Sequence, residues 1–249
     1  MIRMSQVEKR YGSFQALQPL DLEVRTGEVF GFLGPNGAGK TTTIRMLSGV
    51  LIPSRGTIEI DGIDIVENPV ESRRRIGYIP DRPYLYDKLT AREFLAFVGG
   101  IYGLTGDVIA TRGDRLLDEH GLLERADELV EAYSHGMKQR LVLSAALLHE
   151  PRLLIVDEPM VGLDPHGARR IKDRFREVAD GGRTVFLSTH SLDTAQEVCD
   201  RVGILFKGRL VALGPVEELL SDRGSADLEE VFLTITEEEM ASSRTGDHR

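Results

Sequence analysis

The 249-residue chain carries 31 basic and 40 acidic side chains, a formal charge of −9, with 41% apolar and 29% charged residues. That composition is globular and too apolar for disorder, and at ~150 residues per domain the length predicts one large domain or a domain with an added lobe. The acidic excess excludes binding of nucleic acid or anionic lipid by bulk charge, the lone cysteine, Cys199, excludes an intrachain disulfide, and no apolar run approaches the ~20 residues that span a bilayer.

Ile2 to Val7 and Leu20 to Val24 alternate apolar and polar residues, a period of two that predicts half-buried strands. Gly27 ends them, and Val29 to Leu33 is a short apolar strand running into a glycine-rich turn, with a helix expected from about Gly39 to Gly49. Thr57 to Ile60, followed by Asp61-Gly62, predicts a strand entering a hairpin. From about Thr90 to Glu150 the periodicity becomes helical. Leu95, Val98, Ile101 and Tyr102 fit one apolar face, Leu116, Leu117 and His120 another, and Leu141 to Leu148 is apolar nearly all round, as in a buried helix. Strands return at Leu153 to Val156, Val185 to Leu187 and Val202 to Phe206, with helices near Pro165 to Ala179 and Leu192 to Val198. This alternation predicts an α/β fold, a mostly parallel sheet with helices on both faces, preceded by a small antiparallel sheet. One domain is expected over residues 1–235, with its α/β core at about 1–80 and 151–215, a helical lobe inserted at about 81–150, and a tail at 236–249. Arg73-Arg-Arg75 reads as a solvated helix end and Glu237-Glu-Glu239 as an exposed helix or tail. The opening MIRMSQVEKR lacks the apolar centre of a secretory signal, so a soluble, cytoplasmic protein is expected, with any membrane role supplied by a partner.

The glycine-rich turn, Gly34, Pro35, Asn36, Gly37, Ala38, Gly39, Lys40 and Thr41, matches G-x-x-x-x-G-K-[ST] between an apolar strand and a helix. Glycines let the backbone curl so that successive N–H groups face phosphate oxygens, and the helix N-terminus adds partial positive charge. Lys40 suits the β- and γ-phosphates of a nucleotide, the Thr41 hydroxyl suits Mg²⁺, and Thr42 follows in the same first turn. Leu153-Leu-Ile-Val-Asp157-Glu158-Pro places two carboxylates at the C-terminal edge of a strand, where open α/β sheets bind ligands. Asp157 suits the Mg²⁺ site, directly or through water, and Glu158 suits polarisation of the water that attacks the γ-phosphate.

With Tyr133-Ser-His-Gly-Met-Lys-Gln-Arg140 just upstream of that strand, these segments resemble the ATPase subunit of an ABC transporter, in the family's order and spacing over nearly the whole chain. The resemblance implies a P-loop NTPase core with an N-terminal antiparallel β subdomain and an inserted helical subdomain, using ATP and Mg²⁺. It implies that Tyr11 stacks on adenine, and that Ser134 and Gly136 contact the γ-phosphate bound to the opposite subunit of a head-to-tail dimer. It further implies that Gly162-Leu163-Asp164 crosses the dimer interface and that His190 contacts the γ-phosphate and positions water. The dimer would be a self-dimer or a pairing with a related ATPase subunit, held at the cytoplasmic face of the membrane by a separate permease. Leu228-Glu-Glu-Val-Phe-Leu233 and the stretch Asp81 to Phe94 resemble segments of the multidrug and antibiotic exporter branch.

Two departures stand out. The family's signature is L-S-G-G-Q, but here Tyr133, His135 and Met137 replace the first, third and fifth residues, which leaves Ser134 and Gly136 in place and implies that position 135 avoids φ > 0. Asp81, in Tyr78-Ile-Pro-Asp-Arg-Pro, stands where most members carry glutamine. It is shorter and cannot donate when ionised, but its charge suits Mg²⁺, and contact through a water is expected. Two other classes fit parts of the pattern. One is a soluble ATP-driven switch of the same superfamily, which typically carries two ATPase units or long coiled-coil insertions that this chain lacks. The other is a regulatory ATP-binding module with little turnover.

Overall fold

The protein is described by a computed structural model covering residues 1–82, 84–160 and 165–246. Alternation at the N-terminus builds a four-stranded antiparallel sheet from β1 (Ile2–Tyr11), β2 (Phe14–Val24), β4 (Arg55–Ile60) and β5 (Ile63–Asp64), in the order β2-β1-β4-β5. Ile2, Met4 and Val7 of β1 are buried while their neighbours face solvent. The turn between β4 and β5 falls on Asp61 and Gly62, both at positive φ, as a two-residue hairpin matching the strand twist requires. β1 and β2 each run four or more residues beyond the expected alternating segments.

The second sheet joins β3 (Val29–Leu33), β6 (Ile76–Ile79), β7 (Leu153–Asp157), β8 (Thr184–Thr189), β9 (Arg201–Phe206) and β10 (Arg209–Pro215) in the order β10-β9-β3-β8-β7-β6. All neighbouring pairs are parallel except β9 with β10. β3, β7 and β8 are buried along their whole length, which is why they read as unbroken apolar runs. One face carries Phe30, Phe32 and Phe186, with ring centroids 5.4–5.6 Å apart. It packs on α1 (Lys40–Leu47) and the antiparallel sheet. The other face carries Val29, Leu154, Val156 and Leu187 and belongs to the larger core built with the helices.

Between β5 and β6 lies the short α2 (Pro69–Arg74). Arg73 and Arg74 at its end are exposed, as expected of a solvated helix end, and the run also makes contacts: Arg73 donates to Gly49 O at 2.7 Å and Arg75 pairs with Asp61 and Glu71. The helical lobe is α3 (Ala91–Ile101), α4 (Gly106–Glu119) and α5 (His135–Leu147). Thr90 and Glu93 start α3 with a reciprocal capping box. Leu116, Leu117, His120 and the whole of Leu141 to Leu148 are buried as expected. Ile101 is not: it is 67% exposed, because α3 buries Phe94, Leu95 and Gly99 instead. After β7 come α6 (Pro165–Asp180), α7 (Leu192–Val198), α8 (Val216–Asp222) and α9 (Leu228–Gly246). α9 continues through residue 236, so Glu237 to Glu239 lie on a helix, the first of the two forms expected for them.

Two histidines, His120 buried and His149 half-buried, tie the lobe together and to the core. His120 Nδ1 lies 2.7 Å from Ser144 Oγ, joining α4 to α5. His149 stacks on Tyr102 with ring centroids 3.6 Å apart and bonds Ile76 O at 2.9 Å, joining the lobe to β6. Burial pushes both imidazoles down to about 4, helped at His120 by Arg174 and Arg140. In the unfolded chain they titrate near 6.5. Between these values the unfolded chain binds more protons, so stability is complete above about pH 6.5, falls as pH drops towards about 4, and levels off below. Urea unfolding midpoints across that window are expected to show this slope, and His120→Asn to remove about half of it. In the sheet, Phe186→Ala is expected to cost about 3–5 kcal/mol in the same assay.

Candidate functional site

The turn after β3 is held open by its glycines. Gly37 and Gly39 sit at φ +80° and +111°, and Gly39 is the N-cap of α1. A Cβ on Gly34 would lie 2.3 Å from Leu205 O, and one on Gly39 2.8 Å from Ala16 O. The loop is therefore wedged between β2 and the β9–β10 hairpin, which also binds it through Gly208 N–H to Ala38 O at 2.9 Å. The first-turn N–H groups of Lys40, Thr41 and Thr42 have no intrahelical acceptor, and no acidic residue sits in that turn to neutralise the helix's positive end.

Lys40 is buried beneath the loop, its Nζ donating to Gly34 O and Pro35 O. Burial lowers its proton affinity, while Glu158 and Asp157 raise it. All three groups line a cavity of about 360 Å³. Pro35, Asn36, Gly37, Gly39, Thr41 and Thr42 form its floor. Gly34 and Ala38 are buried behind the loop and support it. Tyr11, Phe14 and Ala16 close one end, and Asp81, exposed, lies at the carboxylate end. Phe14 escaped sequence reasoning. It is 64% exposed and pairs in register with Tyr11 across the tight turn at Gly12, so only the hairpin, not a spacing rule, brings the two rings to one cavity.

Asp157, at the end of β7, is buried. That burial raises its proton affinity, the neighbouring Ser188 hydroxyl opposes the rise, Glu158 and Asp81 add to it, and Lys40 counters. Glu158 follows at φ +49°. Its N–H donates to Ser188 O at 2.9 Å, and its Oε2 accepts from Thr189 Oγ1 at 3.2 Å and lies 2.9 Å from His190 Nδ1. The structure thus brings His190 to Glu158, although the imidazole is 61% exposed. Thr189 was missed, because an apolar strand ending in threonine carries no motif. Among the described residues no cluster of three His, Cys, Asp or Glu side chains is assembled as a metal site.

Ser134 and Gly136 stand elsewhere. Ser134 is exposed and caps α5, its Oγ accepting from Met137 N–H at 3.3 Å, and neither residue lines the cavity of its own chain. His135 opens the helix without a positive φ, as expected. The unusual Tyr133 is buried, with its hydroxyl donating to Arg125 O at 2.7 Å and the Arg125 guanidinium 5.9 Å from its ring centre. Gly162, Leu163 and Asp164 lie outside the described residues.

Residues 17–161 match the family model described as ABC transporter. The chain is 38% identical to the linearmycin resistance ATP-binding protein LnrL of Bacillus subtilis, over 90% of this chain and 72% of that one. It is 38% identical to a Nod factor export ATP-binding protein of Cupriavidus metallidurans, over 93% and 77%. The fold superposes on an ATP-binding subunit of an ABC transporter with a TM-score of 0.88 at 35% identity, covering 95% of this chain and 99% of that one. It also superposes on a dimeric ATP-binding cassette in a post-hydrolysis state, bound to ADP and Pi, with a TM-score of 0.78 at 25% identity, covering 87% and 99%.

Proposed function

The chain belongs to the ABC transporter family, and we propose that it is the ATP-hydrolysing subunit of an exporter, driving a separate membrane permease through ATP-dependent closure of a head-to-tail dimer. The observation that carries this reading is the single cavity on which Lys40, Asp157 and Glu158 converge at the C-terminal ends of parallel strands. In it, the loop N–H groups and the first turn of α1 receive the phosphate oxygens, and Lys40 meets the β- and γ-phosphates. Tyr11 stacks on the adenine, with Phe14 beside it. The Thr41 hydroxyl and the Asp157 carboxylate, with Asp81 through a water, fit Mg²⁺. All are hard oxygen donors, and that ion takes one or two carboxylates together with phosphate oxygens and waters. When bound, Mg²⁺ offsets negative charge on the β- and γ-phosphates. Glu158 takes a proton from the attacking water and His190 holds that carboxylate and water in line. Phosphoryl transfer needs positioning and charge stabilisation, so no covalent enzyme intermediate forms.

Because Ser134 and Gly136 lie outside their own cavity, the γ-phosphate on Lys40 is clamped by Ser134 of the partner subunit. There α5, capped by Ser134, turns its positive end towards the phosphate. Asp164 is assigned to the loop that crosses this interface. The dimeric cassette with ADP and Pi among the similar structures supports the arrangement. Cleavage removes an anion that bridges two bodies, so the interface opens.

No helix of the described residues is long and apolar enough to cross a membrane. In the family's arrangement, force passes to a permease received at the lobe and at Asp81 to Leu89, with the chain peripheral at the cytoplasmic face. Tyr84 there is 89% exposed, and Tyr86 meets Phe97 of α3 edge-on at 5.3 Å, a surface suited to a partner. Export is supported by the resistance and export names of the relatives.

Glu158→Gln is expected to cut ATP hydrolysis by about a hundredfold or more while preserving ATP binding and trapping an ATP-bound dimer in gel filtration. Hydrolysis equal to wild type would contradict the role given to Glu158. Lys40→Ala is expected to weaken ATP binding at least about tenfold in a calorimetric titration.

A further inference from the structure

Glu158 is held more firmly than a strand-end carboxylate needs to be. Its φ of +49° is a conformation that residues with a side chain seldom adopt. Its N–H bond to Ser188 O extends the β7–β8 ladder one residue past the last parallel pair, Asp157 with Ser188. Both side-chain contacts, from Thr189 Oγ1 at 3.2 Å and His190 Nδ1 at 2.9 Å, fall on one oxygen, Oε2. No hydrogen bond among the described residues reaches Oε1, although Glu158 lines the cavity. Thr189 is itself only 2% exposed, so its hydroxyl cannot turn to bulk water. Its oxygen accepts the Ser191 N–H at 3.0 Å. With that donor on its lone pair, the single hydroxyl proton is directed to the carboxylate, which only accepts when ionised. A directed relay, Ser191 N–H to Thr189 O–H to Glu158 Oε2, results, in which each bond polarises the next. Ser191 is fixed in turn, because its Oγ caps α7 by accepting the Thr194 N–H at 3.3 Å.

We propose that Thr189 is the positioning residue that fixes the Glu158 carboxylate through Oε2, so that Oε1 is the atom that takes the proton of the attacking water. The inference rests on the ATPase reading above. As the water oxygen bonds to the γ-phosphorus and the bond to the β-phosphate oxygen breaks, the water proton moves to Oε1 and from there to the product phosphate. Without Thr189 the carboxylate rotates and presents either oxygen, and the aligned fraction falls. Thr189 touches neither nucleotide nor water, so ATP affinity does not depend on it.

The test is single-turnover cleavage of bound ATP by the full chain, with ATP affinity measured in parallel. Thr189→Val keeps the shape and removes the hydroxyl, Thr189→Ala removes both without crowding, and Thr189→Ser keeps the hydroxyl. Cleavage is expected to slow about tenfold to a hundredfold in the valine and alanine variants, with affinity within about twofold of wild type, and to recover in the serine variant. Wild-type cleavage by Thr189→Val and Thr189→Ala would overturn the inference. So would a serine variant as slow as valine, which would assign the effect to packing. Glu158→Gln separates the two levels. If it too cleaves at the wild-type rate, the ATPase reading of Glu158 fails; if it is inactive while Thr189→Val is normal, only the positioning role fails.

Discussion

Lys40 is a cation with its side chain buried, and the conditions that keep it charged organise the rest of the site. Desolvation works against its proton, and what opposes desolvation is the pair of carboxylates on Asp157 and Glu158 together with the Gly34 and Pro35 carbonyls. Those partners come from strands that are not adjacent: β3 and β7 are separated by β8. They meet because the parallel ladder is level at its C-terminal edge. Leu33 pairs with Thr189 across β3–β8, and Asp157 with Ser188 across β8–β7, so three strand ends differ by no more than a residue. A slip of one residue in either ladder would turn Asp157 or Thr189 to the opposite face of the sheet. The apolar packing of Phe30, Phe32 and Phe186, which fixes this register, is thus also what sets the electrostatics of the cavity.

The signature segment answers to a different constraint. α5 carries Ser134 at its exposed start, yet from Leu141 onward it is buried nearly all round, in contact with α3, α4 and β6. A helix packed in this way moves as a rod, so a pull on Ser134 is felt at its far end, where His149 grips Ile76 of β6 and Tyr102 of the lobe. Ser134 and the joint between lobe and core thus stand at opposite ends of α5, the joint just past its last turn. In the head-to-tail dimer proposed above, a nucleotide held by one subunit would thereby bear on the lobe of the other.

Much of this was legible in the amino-acid sequence because the chemistry is local. Val29 to Thr41 and Leu153 to Glu158 each contain a strand, its end and its charged group within a few residues, and the helices at Leu141 to Leu148 and Leu192 to Val198 follow from periodicity alone. What stayed hidden depends on pairing. β6 is four residues long with Gly77 inside it, and β10 is a half-exposed edge strand with no clean alternation, so only their neighbours identify them as strands. Phe14 reaches the cavity through a hairpin register and Thr189 reaches Glu158 across β7–β8, relations that no spacing along the chain encodes. Ile101 was misplaced for the converse reason. Its helical position fits the apolar stripe, but α3 packs through Phe94, Leu95 and Gly99, where Ile109 of α4 comes close enough that a Cβ on Gly99 would clash.

The altered signature is best understood as a packing exchange with its polar cost already met. Leucine at position 133 would bury a side chain with no polar atom. Tyrosine there buries a hydroxyl, which in an apolar core would cost on the order of 1–3 kcal/mol if unpaired. It is not unpaired: it donates to Arg125 O, and the Arg125 guanidinium, ion-paired to Glu128, lies over the ring and also reaches Met137 Sδ at 3.4 Å. Tyr133 and Met137, two of the three replaced residues of the signature, are therefore linked through one arginine, while His135 starts the helix with its Nε2 3.3 Å from Gln139 Nε2. None of them alters the Ser134 cap or the backbone at Gly136, the atoms that would face a phosphate. The replacements change what the segment leans on inside its own chain and leave the Ser134 cap, the part exposed at the start of α5, in place.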